Sequence, residues 1–165
     1  MTDRPLDTIA VGFDGSPDAQ AAARWAFALA SRTGARVVLV HAAGLLEHLE
    51  QPRVTDELQS LVMTWAAASG VDDARVRWLT VDGDACSVLL RVGNAPVAAD
   101  LLVVGSRGHG AHTGLLLGST SLQLAERVTG PLVIVPSARP DWTPQGSVAP
   151  IARHHGIVAP PKDRG

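Results

Sequence analysis

The sequence predicts an α/β fold, namely a doubly wound five-stranded parallel sheet with helices on both faces. Short β-branched runs recur along the chain, and most are continuously apolar, as expected of strands that are covered on both faces. Segments with helical periodicity lie between these runs, so the two kinds of segment alternate. The predicted strands are residues 8–13, 36–41, 75–81, 101–105 and 131–136.

The first helical segment has the clearest boundaries. Ser16 is placed to cap its N-terminus, Pro17 suits the first helical position, and Gly34 follows its last turn. The other predicted helices are residues 55–69, residues 85–92, and a fourth that begins after Gly118 and ends at Gly130. The predicted apolar faces include Ala22, Trp25, Ala26, Leu29 and Ala30 in the first helix and Leu122, Ala125 and Val128 in the fourth.

The length and composition fit one globular domain. The chain has 165 residues, of which 46% are apolar, and this is enough for a single hydrophobic core. Residues 1–136 are predicted to form the domain. Residues 137–165 are rich in proline and glycine and show no sustained periodicity. We interpret them as a tail that is either mobile or draped over the domain or a partner.

The charge pattern argues against several classes of partner. The formal net charge is −2 and the basic residues form no cluster, so nothing indicates binding to nucleic acid or to a membrane surface. The first residues include acids where a signal peptide would be apolar, and no apolar run approaches the roughly 20 residues of a membrane span. These features predict a cytoplasmic protein.

Cysteine and histidine give no sign of a metal site. Cys86 is the single cysteine, which excludes an internal disulfide and a multi-cysteine metal site. A position near a helix start would suit a redox-sensing thiol, but a small buried residue is the preferred interpretation. His41, His109 and His112 have no carboxylate or thiol at ligand spacing, so we interpret them as solvated or structural. No metal ligand is predicted among the protein side chains.

Two glycine-marked loops follow the first and the fourth predicted strands. They read VGFDGS and VVGSRGHG. In a doubly wound sheet, ligands bind beyond the carboxyl ends of the strands, at the point where the strand order reverses. With the predicted strand order 3-2-1-4-5, this point lies between the first and the fourth strands. The sequence therefore predicts a binding crevice that both loops border.

The segment from Gly105 to Thr120 has the composition of an anion-binding site. A glycine-rich loop follows a strand, and Gly118, Ser119 and Thr120 then begin a helix. Glycines let backbone N–H groups come close to phosphate oxygens, and the first-turn amides and dipole of a helix add positive charge. Arg107 could add a charged fork to the phosphates.

The glycine-rich segment is not a Walker P-loop. The single lysine of the chain, Lys162, lies in the predicted tail, and the G-x-x-x-x-G-K-[ST] string is absent. Taken alone, residues 105–110 could equally form an ordinary turn. The spacing between these glycines and the helix start is what favours a binding site.

This spacing resembles that of a known family. The pattern of Gly105, two residues, Gly108, nine residues, Gly118 and then Ser119 is similar to the ATP-binding pattern of universal stress proteins. The resemblance extends over about Thr8 to Pro136. It implies an adenine nucleotide alpha hydrolase-like fold and a bound ATP or other adenine nucleotide. Any Mg²⁺ that accompanies ATP would be held mostly by phosphates and water.

The resemblance also implies a role for each position of the motif. Gly12 and Asp14 would border the nucleoside, with the Asp14 carboxylate near the ribose or the adenine edge, and Val40 would meet adenine through its backbone. The phosphates would be held from one side by Gly105, Ser106, Arg107 and Gly108 and from the other by Gly118, Ser119 and Thr120. From the residues alone, Asp14 could instead cap the first helix or hold the turn.

The expected function is that of a binding module, a nucleotide-dependent regulator with at most slow ATP turnover and no predicted catalytic residues. Members of the family commonly dimerise through their last strand, and pairing residues 131–136 across a two-fold axis would cover an exposed sheet edge. Two alternatives stay open. One is a slow ATPase or nucleotidyl-transfer enzyme, although no lysine or acidic metal cluster accompanies the phosphate positions. The other is a preference for AMP or cyclic AMP.

Overall fold

The computed structural model describes residues 5–44, 54–93, 97–109 and 116–137. His112 and the predicted tail, apart from Ser137, lie outside the described residues. The strands are β1 (Thr8–Gly12), β2 (Arg36–Ala43), β3 (Val76–Asp82), β4 (Leu101–Gly105) and β5 (Leu132–Val135). The helices are α1 (Pro17–Thr33), α2 (Asp56–Ala68), α3 (Ala85–Val92) and α4 (Ser119–Arg127), and a short 3₁₀ turn (Asp73–Arg75) precedes β3.

The five strands form one parallel sheet in the order β3-β2-β1-β4-β5, which confirms the predicted topology. The central strand is β1, where Val11 pairs with Leu39 of β2 on one side and with Val103 of β4 on the other. The chain winds outward from β1 to β3 and then crosses to the opposite side to form β4 and β5. The strand order therefore reverses between β1 and β4, and a crevice opens there at the carboxyl ends of the strands.

Side chains that alternate along the strands fill two apolar layers. Val11 of β1 belongs to the layer that α1 and α2 cover, together with Phe27. Its neighbour Ala10 belongs to the opposite layer, where it is grouped with Leu89 of α3 and Leu124 of α4. β1 and β4 are thus covered on both faces, which is why their sequences are apolar without alternation, whereas the edge strand β3 has exposed residues at Arg77, Thr80 and Asp82.

α1 begins and ends as its sequence predicts. The hydroxyl of Ser16 accepts a hydrogen bond from the Ala19 N–H at 3.3 Å, and Pro17 is the first helical residue. After the last turn, Gly34 adopts the left-handed conformation with φ of +80°, and its N–H donates to the Ala30 carbonyl at 2.9 Å. These two caps fix the residues at which the helix begins and ends in the segment between β1 and β2.

The predicted apolar face of α4 is wrong. Leu122 is 49% exposed and Ala125 is also exposed, whereas Ser121 and Leu124 are buried. The hydroxyl of Ser121 donates to backbone carbonyls at the end of β4, so this polar side chain is satisfied in the interior. The helix also ends before the predicted glycine.

The helical pattern misplaces Trp25 as well. This side chain is 39% exposed, although it was expected on the buried face of α1. The buried face is centred on small side chains, and Trp25 lies beyond the edge of that face. The residues of α1 that are buried are Asp18, Ala19, Ala22, Ala23, Ala26, Phe27 and Ala30.

Candidate functional site

A cleft lies at the carboxyl ends of β1 and β4, where the strand order reverses. Its volume is about 440 Å³, within the roughly 300–1,000 Å³ that is usual for small-molecule sites. The cleft is lined by Gly12, Phe13, Asp14, Ser16, Ala19, Val40, His41, Ala42, Ala85, Leu89, Val104, Gly105, Arg107, Gly108, His109, Gly118, Ser119, Thr120 and Ser121.

The structure brings all the predicted site residues together at this cleft except Ser106. The Ser106 side chain is buried behind the cleft wall, and its hydroxyl donates to Asp18 Oδ2 at 2.6 Å. The other predicted positions come from β1, β2, the loop after β4 and the start of α4. They meet because the strand order puts the carboxyl ends of β1 and β4 side by side.

The two halves of the glycine motif are joined by hydrogen bonds at the start of α4. The Gly118 N–H donates to the Ser106 carbonyl at 2.7 Å. The Ser121 hydroxyl donates to the Gly105 carbonyl at 2.7 Å and lies 3.1 Å from the Ser106 carbonyl. The first turn of α4 is therefore held directly against the loop that follows β4.

The glycines of the motif lie where the loops of the site contact one another. A Cβ added at Gly105 would be 2.6 Å from the Asp18 carbonyl carbon, and one at Gly108 would be 2.7 Å from Asp14 Oδ2. A Cβ at Gly118 would lie 3.3 Å from the Arg107 Cα. Side chains at these positions would separate the loops and reshape the cleft.

Asp14 connects the loops after β1 and β4. Its Oδ1 accepts the Ser16 N–H at 3.0 Å, and its Oδ2 accepts the His109 N–H at 3.3 Å. The His109 Nε2 is also 2.9 Å from the Asp14 carbonyl oxygen, which can only accept, so the ring nitrogen donates. The turn-holding role that the sequence left open is thus present, while Asp14 also lines the cleft.

The opposite end of the cleft, near β1 and β2, is mostly apolar. Val40 lies in the wall, and its carbonyl accepts the Phe13 N–H at 2.8 Å. A Cβ at Gly12 would be 2.9 Å from Leu89 Cδ1, so this glycine is in direct contact with α3. His41 is buried with Nδ1 2.9 Å from the Phe13 carbonyl oxygen, which supports its interpretation as a structural histidine.

Sequence reasoning missed Asp18, a carboxylate that is only 4% exposed. Its Oδ2 accepts the Ser106 hydroxyl, the Arg107 N–H at 3.0 Å and Arg107 Nε at 3.4 Å. Burial alone would raise its pKa, but hydrogen bonds from Ser106 and Ser137 and the charge of Arg107 outweigh burial and lower the pKa. One signal was available, because Asp18 precedes Ala22 of the predicted apolar face by one helical turn.

The free cysteine, possible metal ligands and possible membrane helices add no further site within the described residues. Cys86 is a buried free thiol whose Sγ is 3.6 Å from Arg127 Nη1. Among the described residues, no group of three or more His, Cys, Asp or Glu side chains could hold a metal ion. None of the helices in the same residues is long and apolar enough to cross a membrane.

The fold and the site together define a doubly wound α/β protein with a small-molecule cleft at its topological switch point. A family model described as the universal stress protein family matches residues 5–136. The chain therefore belongs to the universal stress protein family.

Relatives in two bacterial groups agree with this assignment. A universal stress protein of Mycobacterium tuberculosis is 32% identical over 130 residues, which cover 76% of this chain and 44% of the relative. One from Thermus aquaticus is 32% identical over 138 residues, which cover 78% of this chain and 97% of the relative. The chain thus spans about half the length of the mycobacterial relative.

Solved structures share the same fold. A universal stress protein in complex with cAMP has 26% sequence identity and a TM-score of 0.63, and the match covers 82% of this chain and 100% of that chain. A universal stress protein from Archaeoglobus fulgidus has 23% identity and a TM-score of 0.59, with 81% of this chain and 45% of that chain covered. The second likeness concerns the fold alone.

Proposed function

We propose that this chain binds ATP or a closely related adenine nucleotide in the cleft and acts as a nucleotide-dependent regulator. The N-terminus of α4 carries the proposal. Its N-cap residue, Gly118, makes no side-chain capping bond, whereas α1, α2 and α3 are capped by Ser16, Thr55 and Asp84. Within the described part of the chain, no side chain therefore caps the amides of the first α4 turn at the cleft wall, and an anionic ligand would provide an acceptor.

The residues around this helix start suit phosphate groups. Ser119 and Thr120 line the cleft and add two hydroxyl donors to the helix amides. Gly108 lies in the facing loop and also lines the cleft, where its lack of a side chain lets the loop approach Asp14. Arg107 is the one Arg or Lys among the described residues that line the cleft, although its Nε is directed to Asp18. These donors favour a ligand with several phosphate oxygens.

The other end of the cleft suits a nucleoside. Val40, Leu89 and Val104 provide apolar surface on which a planar base can pack. Asp14 lies in the wall as well, and each of its carboxylate oxygens accepts one backbone N–H. A carboxylate oxygen has a second lone pair, so Asp14 can still accept a ribose hydroxyl.

Cyclic AMP is the second candidate ligand, because the neighbour with 26% identity was solved in complex with cAMP. We favour ATP since donors line the cleft on two sides, in the loop after β4 and at the start of α4. In this proposal any Mg²⁺ that accompanies ATP is held mostly by phosphates and water, as is usual for nucleotide-bound Mg²⁺. The free thiol of Cys86 is compatible with the reducing cytoplasm as the compartment.

The proposal includes a homodimer paired through residues 131–136. β5 is an edge strand, and the carbonyls of Pro131 and Val135 accept amides on the β4 side of the strand. In a parallel strand these groups alternate in direction, so Leu132 and Ile134 direct their N–H and C=O groups away from β4. An unpaired edge of this kind is covered when a second copy pairs with it.

Freshly purified protein provides the first test of ligand binding. Its 260 to 280 nm absorbance ratio and mass spectrometry of what heat releases identify any co-purified nucleotide. Calorimetric titrations with ATP, AMP and cyclic AMP then rank the ligands, and phosphate release in single-turnover conditions separates a binder from a slow ATPase. Absence of binding to all three nucleotides would refute the proposal.

A further inference from the structure

The first turn of α1 is fastened to the loop that follows β4. Asp18 Oδ2 accepts the Ser106 hydroxyl at 2.6 Å, the Arg107 N–H at 3.0 Å and Arg107 Nε at 3.4 Å. On the same turn, the Ser16 hydroxyl is 3.4 Å from the Arg107 carbonyl oxygen. Asp18 does not line the cleft, whereas Arg107 does. The Asp18 carboxylate therefore contacts the residues of the cleft wall on the side that faces away from the cleft.

This contact leaves little room for the loop to move. A Cβ at Gly105 would be 2.6 Å from the Asp18 carbonyl carbon and 2.8 Å from the Ala19 nitrogen. A carboxylate that is 4% exposed is unfavourable unless it is paired and hydrogen-bonded, so the donors on the loop must stay close to it. On the other side, the Gly118 N–H holds the Ser106 carbonyl at 2.7 Å. The loop is thus held between α1 and α4.

We infer that Asp18 is a positioning residue, which fixes the backbone of residues 105–107 in the arrangement that binds the phosphates of a nucleotide. The inference rests on the proposed function, and it adds a residue outside the glycine motif to that site. Asp18 acts through Ser106 and Arg107 and does not touch the ligand. Replacing Asp18 should therefore lower the affinity for a nucleotide through its phosphates and change the affinity for the nucleoside little.

The test compares Asp18→Asn with a matched control, Asp100→Asn. The Asp100 carboxylate also holds backbone amides, those of Asp7 and Thr8 at 3.0 Å each, but at the end of β1 remote from the cleft. Titration calorimetry should show Asp18→Asn weakening ATP binding by about tenfold or more and adenosine binding by less than about threefold. Asp100→Asn should leave both affinities unchanged.

Amide hydrogen exchange in the ligand-free protein provides a second measurement. In Asp18→Asn the amides of residues 106–109 should exchange at least about tenfold faster than in the wild type, and in Asp100→Asn they should not. The exchange rates test whether Asp18 holds the loop even if the wild type binds no nucleotide. Absence of nucleotide binding in the wild type would refute only the proposed function. Wild-type exchange rates and ATP affinity in folded Asp18→Asn would overturn the inference. An equal loss of ATP and adenosine affinity would overturn it too, since it would indicate a general structural role.

Discussion

Gly118→Val places a branched side chain at the start of α4, where this helix contacts the loop after β4. A Cβ at this position would lie 3.3 Å from the Arg107 Cα and 3.5 Å from the Ser106 carbonyl oxygen. The Gly118 backbone has φ of −75° and ψ of 165°, which valine adopts without strain. The effect of the substitution is therefore steric, and the loop has to move away from the helix.

The size of the movement determines the expected loss of affinity. Alanine at position 118 requires the loop to yield by only a few tenths of an ångström, whereas the γ-methyl groups of valine require more. A charge-assisted hydrogen bond contributes roughly 1.5–3 kcal/mol, so losing two would weaken binding by more than about a hundredfold. Overpacking costs the fold about 1–3 kcal/mol, which leaves a folded domain. We expect less than about a tenfold loss for Gly118→Ala.

Titration calorimetry with ATP measures the affinity, and circular dichroism confirms that each variant is folded. Gly130→Val is the matched control, because among the described residues no atom other than those of its chain neighbours lies within 4 Å of a Cβ at Gly130. This control should bind ATP like the wild type. Wild-type affinity in folded Gly118→Val would refute the argument that the glycine keeps the two phosphate-facing segments together. A comparable loss in Gly130→Val would show that destabilisation, not the geometry of the cleft, is responsible.

Three further predictions concern assembly, the tail and pH. Ile134→Pro removes an N–H that faces away from β4 and that the proposed dimer would use for strand pairing. Light scattering should therefore find a dimer for the wild type and a folded monomer for the variant. A wild-type monomer would contradict the proposed interface. A chain truncated after Ser137 retains the hydrogen bond to Asp18 and should bind ATP within a few-fold of the full chain; loss of binding would mean that the tail completes the site. Because the pKa of Asp18 is below its usual 3.8, its ionised form stabilises the fold above pH 3.8, and this stabilisation is lost as the pH falls further. Urea denaturation should accordingly find that the stability difference between wild type and Asp18→Asn shrinks below pH 3.8, and a constant difference would refute this assignment.

The parallel sheet could be predicted because its strands and helices depend on patterns within the chain, whereas the strand order 3-2-1-4-5 was assumed from the doubly wound fold class. Continuous apolar runs indicate strands that are covered on both faces, and alternation with helices implies parallel crossovers. The caps at Ser16 and Gly34 are equally local and were predicted correctly. Once the strand order is known, the glycine-marked loops after β1 and β4 must meet at the same edge of the sheet.

The errors concern residues whose environment depends on tertiary contacts. Ser121 is buried because the carbonyls of Gly105 and Ser106 accept its hydroxyl, and hydrophobic periodicity cannot anticipate such partners. The side chain of Ser106 is directed to Asp18, which the sequence pattern could not anticipate, and the assignment of this residue to the phosphates stays a prediction that concerns its backbone. A buried acid is also difficult to predict, since its burial depends on donors that are far away in the sequence.

The glycines of the motif have packing contacts that the sequence alone does not reveal. Gly105 contacts Asp18, Gly108 contacts Asp14, and a Cβ at Gly118 would approach the loop after β4. Packing between protein segments thus restricts these positions whether or not a ligand is present, most strictly at Gly105, where the atoms in contact belong to the backbone.

One hydrogen bond joins the edge of the sheet to the cleft. The Ser106 N–H donates to the Val135 carbonyl at 2.8 Å, so the last residue of β5 is bound to the loop that lines the site. The proposed subunit interface and the proposed ligand site would then both depend on this hydrogen bond. Any factor by which association changes the affinity for a ligand must equal the factor by which that ligand changes the association constant. Dilution experiments with and without nucleotide would thus measure the coupling free energy between the proposed interface at β5 and the cleft.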